Sequence, residues 1–175
     1  ELFSEGRMAE AADMYALGLE LLEEEEEEAL LSSRVEEIKV DGAENKAAST
    51  KDPPQKAVLH CNLAACRLRQ RLWKEAVESC DAACNIHPQY TKALYRRAQA
   101  KRALKEYDGA IADVEAAQVS LKRVWGGKNP TDPTGKRTMN EMLKFGEAVK
   151  EEVKEEEKAA ERKWMEEYGI TLGGA

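Results

Sequence analysis

Lys92 and Arg96 stand one helical turn apart in a stretch, Gln89 to Lys105, that holds no acidic residue. Like charges at i,i+4 cost a helix roughly a few tenths of a kcal/mol, and an anion held between them would reverse that penalty. Asn62 lies 34 residues before Arg96; an amide can hydrogen-bond a carboxylate or a backbone group. The chemistry these three residues could do is capture of an acidic group. Catalysis has less to stand on: His60 and His87 lack catalytic neighbours, and there is no glycine-rich phosphate loop. The four cysteines, Cys61, Cys66, Cys80 and Cys84, sit among alanines inside helical patterns. The 61/66 spacing does not put both sulfurs on one helix face, so they read as buried free thiols acting as small hydrophobes, not as a zinc site. No cofactor or metal is expected.

The elements that must position Asn62, Lys92 and Arg96 show themselves as a repeat. Ala64, Trp73, Ala76, Val77 and Ala83 reappear as Ala98, Tyr107, Ala110, Ile111 and Ala117, each 34 residues later. Small residues recur where two helices must cross closely, and an aromatic recurs at the turn between them. Paired helices at this period are the tetratricopeptide pattern, and its register puts Asn62 and Arg96 at one repeat position. Met8, Ala11, Tyr15 and Gly18 align with Trp73, Ala76, Cys80 and Ala83 at an offset of 65, which is one repeat plus an insertion of 31 residues. The first repeat therefore lacks most of its first helix.

Along the chain, residues 1–28 hold the end of one helix, a break at Gly6-Arg7 and a second helix with an apolar stripe from Ala11 to Leu22. The Glu23–Glu28 run carries that helix into solvent, and residues 29–40 retain enough periodicity to extend it. Residues 41–54, ending in Pro53-Pro54, read as a loop. Repeat 2 spans about Ala57–Asn85 and repeat 3 about Thr91–Val119. Gly126-Gly127, Pro130 and Pro133 mark a second loop. A last helix is expected from about Thr138 to Tyr168, with Met139, Met142, Leu143, Phe145 and Val149 packed on the final repeat, since terminal repeats must hide an apolar face. Its 31 residues would span roughly 46 Å, and Glu147/Lys150, Glu151/Lys154 and Glu155/Lys158 would support it beyond the body. Trp164, Met165 and Tyr168 would then meet a partner or fold back. The expected division is a repeat domain at 1–120 with an insertion at 29–56, a loop at 121–137, and a charged helix and tail at 138–175.

Composition agrees with an all-α fold: 35% of the 175 residues are charged and only 6% aromatic. The net charge of −7 argues against a general nucleic-acid binder, and no apolar run is long enough to span a membrane. No signal peptide is visible, and reduced thiols suit the cytoplasm or nucleus. The chain opens at Glu1 as though already inside a helix, the expectation for a fragment. Charge divides by helix. The first helix of repeat 3 carries Lys92, Arg96, Arg97, Lys101, Arg102 and Lys105, and the second carries Glu106, Asp108, Asp113 and Glu115. Repeat 2 has Arg67, Arg69 and Arg71 on its first helix, and mostly acids on its second. With first helices lining the concave surface, the groove should be basic and the outside acidic, attracting an acidic ligand.

At this point the chain resembles a known family. Thr91–Gln118, TKALYRRAQAKRALKEYDGAIADVEAAQ, is similar to the third repeat of chaperone-binding immunophilins, the large cyclophilins above all and the large FK506-binding proteins next. HCNLAAC (His60–Cys66) resembles part of their second repeat, and the long insertion after repeat 1 is shared. The likeness covers residues 1–120. It implies a carboxylate clamp that grips the free C-terminal Glu-Glu-Val-Asp of the ninety- and seventy-kilodalton heat-shock chaperones. Asn62, Lys92 and Arg96 match three of the five clamp residues, and Arg69 falls where some members carry a supporting base. The other two, a lysine and an asparagine, would lie before Glu1. The resemblance also permits a peptidyl-prolyl isomerase domain upstream.

The expectation is thus an all-α tetratricopeptide helical-hairpin stack of about three repeats, the first incomplete, with a long C-terminal capping helix. It would dock a chaperone tail and perform no chemistry. The alternative is a scaffold of the same fold that binds another acidic partner in complex assembly or organelle import.

Overall fold

A computed structural model describes residues 7–36 and 53–168, which form six α-helices and no strand. They are α1 (Met8–Glu36), α2 (Gln55–Arg69), α3 (Trp73–Ile86), α4 (Thr91–Ala103), α5 (Tyr107–Val124) and α6 (Pro133–Glu167). Each helix packs on its neighbour in the chain, and α2 also touches α4. The fold is an all-α stack of tetratricopeptide type: α2–α3 and α4–α5 are helical hairpins, and α1 takes the place of the second helix of an earlier one.

The repeat is visible residue by residue. The paired alanines 64/98, 76/110 and 83/117 are all fully buried at the helix crossings. The aromatic pair Trp73/Tyr107 opens α3 and α5, and Met8, aligned with both, opens α1. Even the turns match. Arg71 and Lys105, again 34 apart, adopt positive φ of 61° and 63°. At the first turn the Leu72 amide donates to the Arg67 carbonyl and Arg71 to Leu68; at the second, Glu106 donates to Lys101 and Lys105 to Arg102. This left-handed closure satisfies the last carbonyls of each first helix. Gly18, at the alanine position of the first repeat, lies where an added Cβ would meet Leu59 at 3.4 Å.

One boundary matches expectation and two differ. Helix α1 does run on through the glutamates, to Glu36. Helix α5 reaches Val124 and ends at Gly126 and Gly127, both at positive φ. Helix α6 starts at Pro133, five residues before Thr138, because the Asp132 side chain caps it by accepting from the Gly135 amide at 2.8 Å. Proline suits a first helical turn, whose amides have no partner within the helix. The connection is therefore shorter than 121–137. Most of the 41–54 loop and the 1–6 segment lie outside the described residues.

The expected apolar positions of α6 do cap the stack. Met139, Met142 and Val149 are buried, Gly146 sits against Val114, and Phe145 meets Tyr95 edge-on at 5.4 Å; Leu143 remains exposed. Docking continues further than the apolar stripe, since Glu152 and Glu156 still reach α4 and Tyr107. Beyond them the helix is charged and exposed, with Trp164 and Tyr168 packed on each other at 5.3 Å.

Candidate peptide-binding site

Helices α2 and α4 carry the residues singled out above. Arg96 lies in the middle of α4, and its side chain crosses to α2, where Nη1 donates to the Cys61 carbonyl at 2.5 Å and to Cys61 Sγ at 2.9 Å. Asn62 is the next residue on α2 and is half-buried. Lys92 is one turn before Arg96, exposed, and without an ion pair or hydrogen bond among the described residues. Arg96 thus reaches α2 at Cys61, the residue before Asn62, and Lys92 lies one turn before Arg96 on α4. Arg69 is not part of that group. It lies two turns further along α2, about 10 Å away on the same face, and donates to Met8 Sδ at 3.6 Å. There it lines a cleft of about 450 Å³ with Leu68, Trp73, Gln99, Arg102, Ala103, Phe145 and Glu152.

The expected basic groove is largely cancelled by internal pairing. Arg97 makes a two-pronged contact with Asp113, at 2.8 and 2.5 Å, and a third bond to Asp81 at 2.7 Å; Lys101 joins Asp113 at 2.9 Å. Arg102 pairs with Glu152 of α6, and Lys105 with Glu156. In repeat 2, Arg67 donates to Ser79 Oγ and to the Glu75 carbonyl. The reason is geometric: a basic residue at position 67 or 101 faces the second helix of its own hairpin, at 79 or 113, and not the groove. On α4, Lys92 and Arg96 are left outside these ion pairs. In α6, Lys150 likewise reaches Glu115 at 3.3 Å instead of pairing with Glu147, while Glu151–Lys154 and Glu155–Lys158 form as expected.

The electrostatics follow burial. The Asp113 hydrogen bond drives the Arg97 guanidinium still further toward its charged form. Burial pushes the Cys80 thiol well up, and all four cysteines are buried and free. Burial also raises the Tyr90 hydroxyl to about 12, with the nearby Cys61 adding to the shift. Desolvation, with Lys56 nearby, holds His60 below its ordinary 6.5. Among the described residues no group of three or more His, Cys, Asp or Glu converges as a metal site, and no helix is long and apolar enough to cross a membrane.

No protein-family profile matches the chain. Individual relatives do. A human "FK506-binding protein-like" is 44% identical over 88 residues, covering 44% of this chain and 25% of that protein. The human mitochondrial import receptor subunit TOM34 is 29% identical over 113 residues, 65% of this chain and 29% of the relative. The Arabidopsis thaliana TPR repeat-containing thioredoxin TTL4 is 34% identical over 96 residues, 55% of this chain and 10% of the relative. In sequence as in fold, the chain is similar to tetratricopeptide-repeat proteins, immunophilin-like ones among them. The chain spans less than a third of each of these relatives. The likeness to TPR-containing relatives supports a protein-binding module.

The contribution of Cys61 and the pairing of α6 acids with α4 bases were not legible in advance. Cys61 carries no mark that separates it from the other buried thiols, and Glu152 and Glu156 sit in an unbroken charged run.

Proposed function

We propose that the domain docks a free, acidic C-terminal tail, that of the heat-shock chaperones of the ninety- and seventy-kilodalton classes, through Asn62, Lys92 and Arg96, with Arg69 as a supporting base further along the groove. The observation that carries this reading is the seam itself: where the other bases of α4 are paired internally, Lys92 keeps no ion-pair partner among the described residues and Arg96 lies across α2 beside Asn62. A terminal aspartate offers two carboxylates to such a group, and each charge-assisted hydrogen bond contributes roughly 1.5–3 kcal/mol. Less the ordering of a flexible tail, the affinity should be about micromolar. The reading treats residues 1–120 as the docking domain and the helix after it as an appendage, in a cytoplasmic or nuclear protein.

The test is a fluorescence-anisotropy titration of the full-length protein with a peptide ending in Glu-Glu-Val-Asp and with its C-terminally amidated twin. The free acid should bind at about micromolar Kd, the amide far more weakly, and Lys92→Ala should cost at least about tenfold. Equal binding of both peptides would instead favour a scaffold for another acidic partner, the reading to which the resemblance to a mitochondrial import receptor subunit points. Binding of neither would remove the clamp.

A further inference from the structure

We propose that Cys61 is a positioning residue for Arg96: its carbonyl and thiol together hold the guanidinium across α2 beside Asn62, so that the arginine is oriented before any ligand arrives. The inference deepens the carboxylate-clamp reading and rests on it for its functional meaning, though not for its geometry.

Arg96 is a long side chain whose position on α4 does not by itself determine where its head lies. Two acceptors on α2 fix it. Nη1 donates to the Cys61 carbonyl at 2.5 Å and to Sγ at 2.9 Å. A helix-interior carbonyl has a second lone pair to offer, and a thiol sulfur is a weak acceptor. Cys61 cannot move out of the way, since it is fully buried in the core with Ala83, Cys84, Ala93, Leu94 and Ala98. Tyr90, which precedes α4, packs against the same core.

The donor count gives this anchorage its use. A guanidinium has five N–H groups. With Nη1 engaged on α2, Nε and Nη2 remain, and that edge can take a carboxylate in two-point fashion. The anchor also removes a freedom the arginine would otherwise exploit, since Lys92 one turn away repels it. The repeat equivalents show that this is a local device: where repeat 3 has Tyr95 and Arg96, repeat 2 has Cys61 and Asn62. The anchoring thiol belongs to one repeat and the anchored cation to the next.

The substitutions Cys61→Ala and Cys61→Ser separate positioning from mere packing. Serine restores an acceptor but places a hydroxyl in an apolar site, so on packing grounds alone it is no better than alanine. The expectation is that Cys61→Ala weakens binding of the free-acid peptide about 3- to 10-fold, and that Cys61→Ser recovers most of the loss although it melts no higher than the alanine variant. Affinities that simply track melting temperature across the two variants would overturn the proposal. A second measurement needs no ligand. In arginine-labelled protein, with Arg96→Lys giving the assignment, the resonance of the Arg96 Nη1 protons, the ones engaged on α2, should be resolved at low temperature and shielded from solvent exchange. It should broaden or exchange rapidly in Cys61→Ala and return in Cys61→Ser. An unchanged resonance in Cys61→Ala overturns the positioning role. Loss and return of the resonance in a protein that binds no peptide supports the positioning and removes the clamp instead.

Discussion

In repeat 2 the two helices of the hairpin are joined across their flank by Arg67, which donates to Ser79 Oγ at 2.5 Å. In repeat 3 the equivalent positions hold Lys101 and Asp113, at 2.9 Å, and Arg97 adds itself to the same carboxylate and to Asp81 of the preceding hairpin. The backbones match in helix starts, in left-handed turns and in buried alanines. The polar positions do not: one hairpin is stapled by a neutral acceptor, the other by a buried carboxylate under two cations. The architecture thus rests on small residues and turn geometry. What sits at positions such as 79/113 and 62/96 is open to vary, and it is there that the two hairpins acquire different tasks. Arg97 also ties the second hairpin to the third, which Arg67 does not do.

That contrast can be broken most sharply at the staple. The Asp113 side chain is 6% exposed, and that of Arg97 19%. Asp113→Ala would leave two cations facing a poorly solvated site and should cost about 3 kcal/mol. Ser79→Ala removes the bond from Arg67 and the hydroxyl's own bond to the Glu75 carbonyl, but Arg67 keeps that carbonyl, so about 1.5 kcal/mol is expected. Urea unfolding of both variants checks the difference. Equal losses would mean that the ionic triad is no more than a second version of the neutral staple.

The turns offer a smaller effect of opposite sign. A non-glycine residue at positive φ is strained by its Cβ, and Arg71 and Lys105 carry that strain equally. Arg71→Gly should stabilise by about 0.5 kcal/mol, the relief exceeding the extra freedom glycine gives the unfolded chain. Lys105→Gly gains the same relief but forfeits the Lys105–Glu156 pair, so its gain should be smaller. Thermal melts of the two variants measure the difference. If Lys105→Gly stabilises as much as Arg71→Gly, the contact between α6 and the third repeat contributes nothing at that point.

How much of this could be read from the chain follows the same division. The repeat was legible because it is written in residue size and in fixed spacing: Ala64/Ala98, Ala76/Ala110 and Trp73/Tyr107 state both the crossings and the turns. The start of α6 was not, because Asp132-Pro133 can end a loop or begin a helix, and only the capped Gly135 amide decides which. Charge was the least legible. Sequence shows that α4 is basic, but a side chain at 97, 101, 102 or 105 is long enough to reach the groove, its own hairpin or a distant helix, and tertiary packing makes the choice. Register singles out Asn62, Lys92 and Arg96 as candidates, whereas the anchoring of Arg96 on Cys61 required the three-dimensional approach of α4 to α2.

The smallest expected effect concerns the two halves of α6, which hold on by different physics. From Met139 to Val149 the helix is docked by apolar burial, which does not titrate. At Glu152 and Glu156 it is docked by ion pairs. The Arg102 hydrogen bond holds the Glu152 carboxyl below the ordinary 4.5, and Lys105 with Tyr107 does the same for Glu156. A carboxylate whose pKa is depressed by folding stabilises fully above its unfolded value and loses that contribution as pH falls through the folded one. The distal contact should therefore hold at pH 6 and loosen as pH drops below 4.5, while the proximal contact persists. Nuclear Overhauser contacts between the Tyr107 ring and α6 should fade over that range, and those between Tyr95 and Phe145 should not. The Glu152→Gln, Glu156→Gln double variant should show the same selective loss at neutral pH. Local pairs such as Glu155–Lys158 titrate in the same range but lie within one helix, so they affect helicity and not the distance from Tyr107. If both sets of contacts disappear together, the helix leaves as a single unit, and the apolar half alone is not enough to keep it seated.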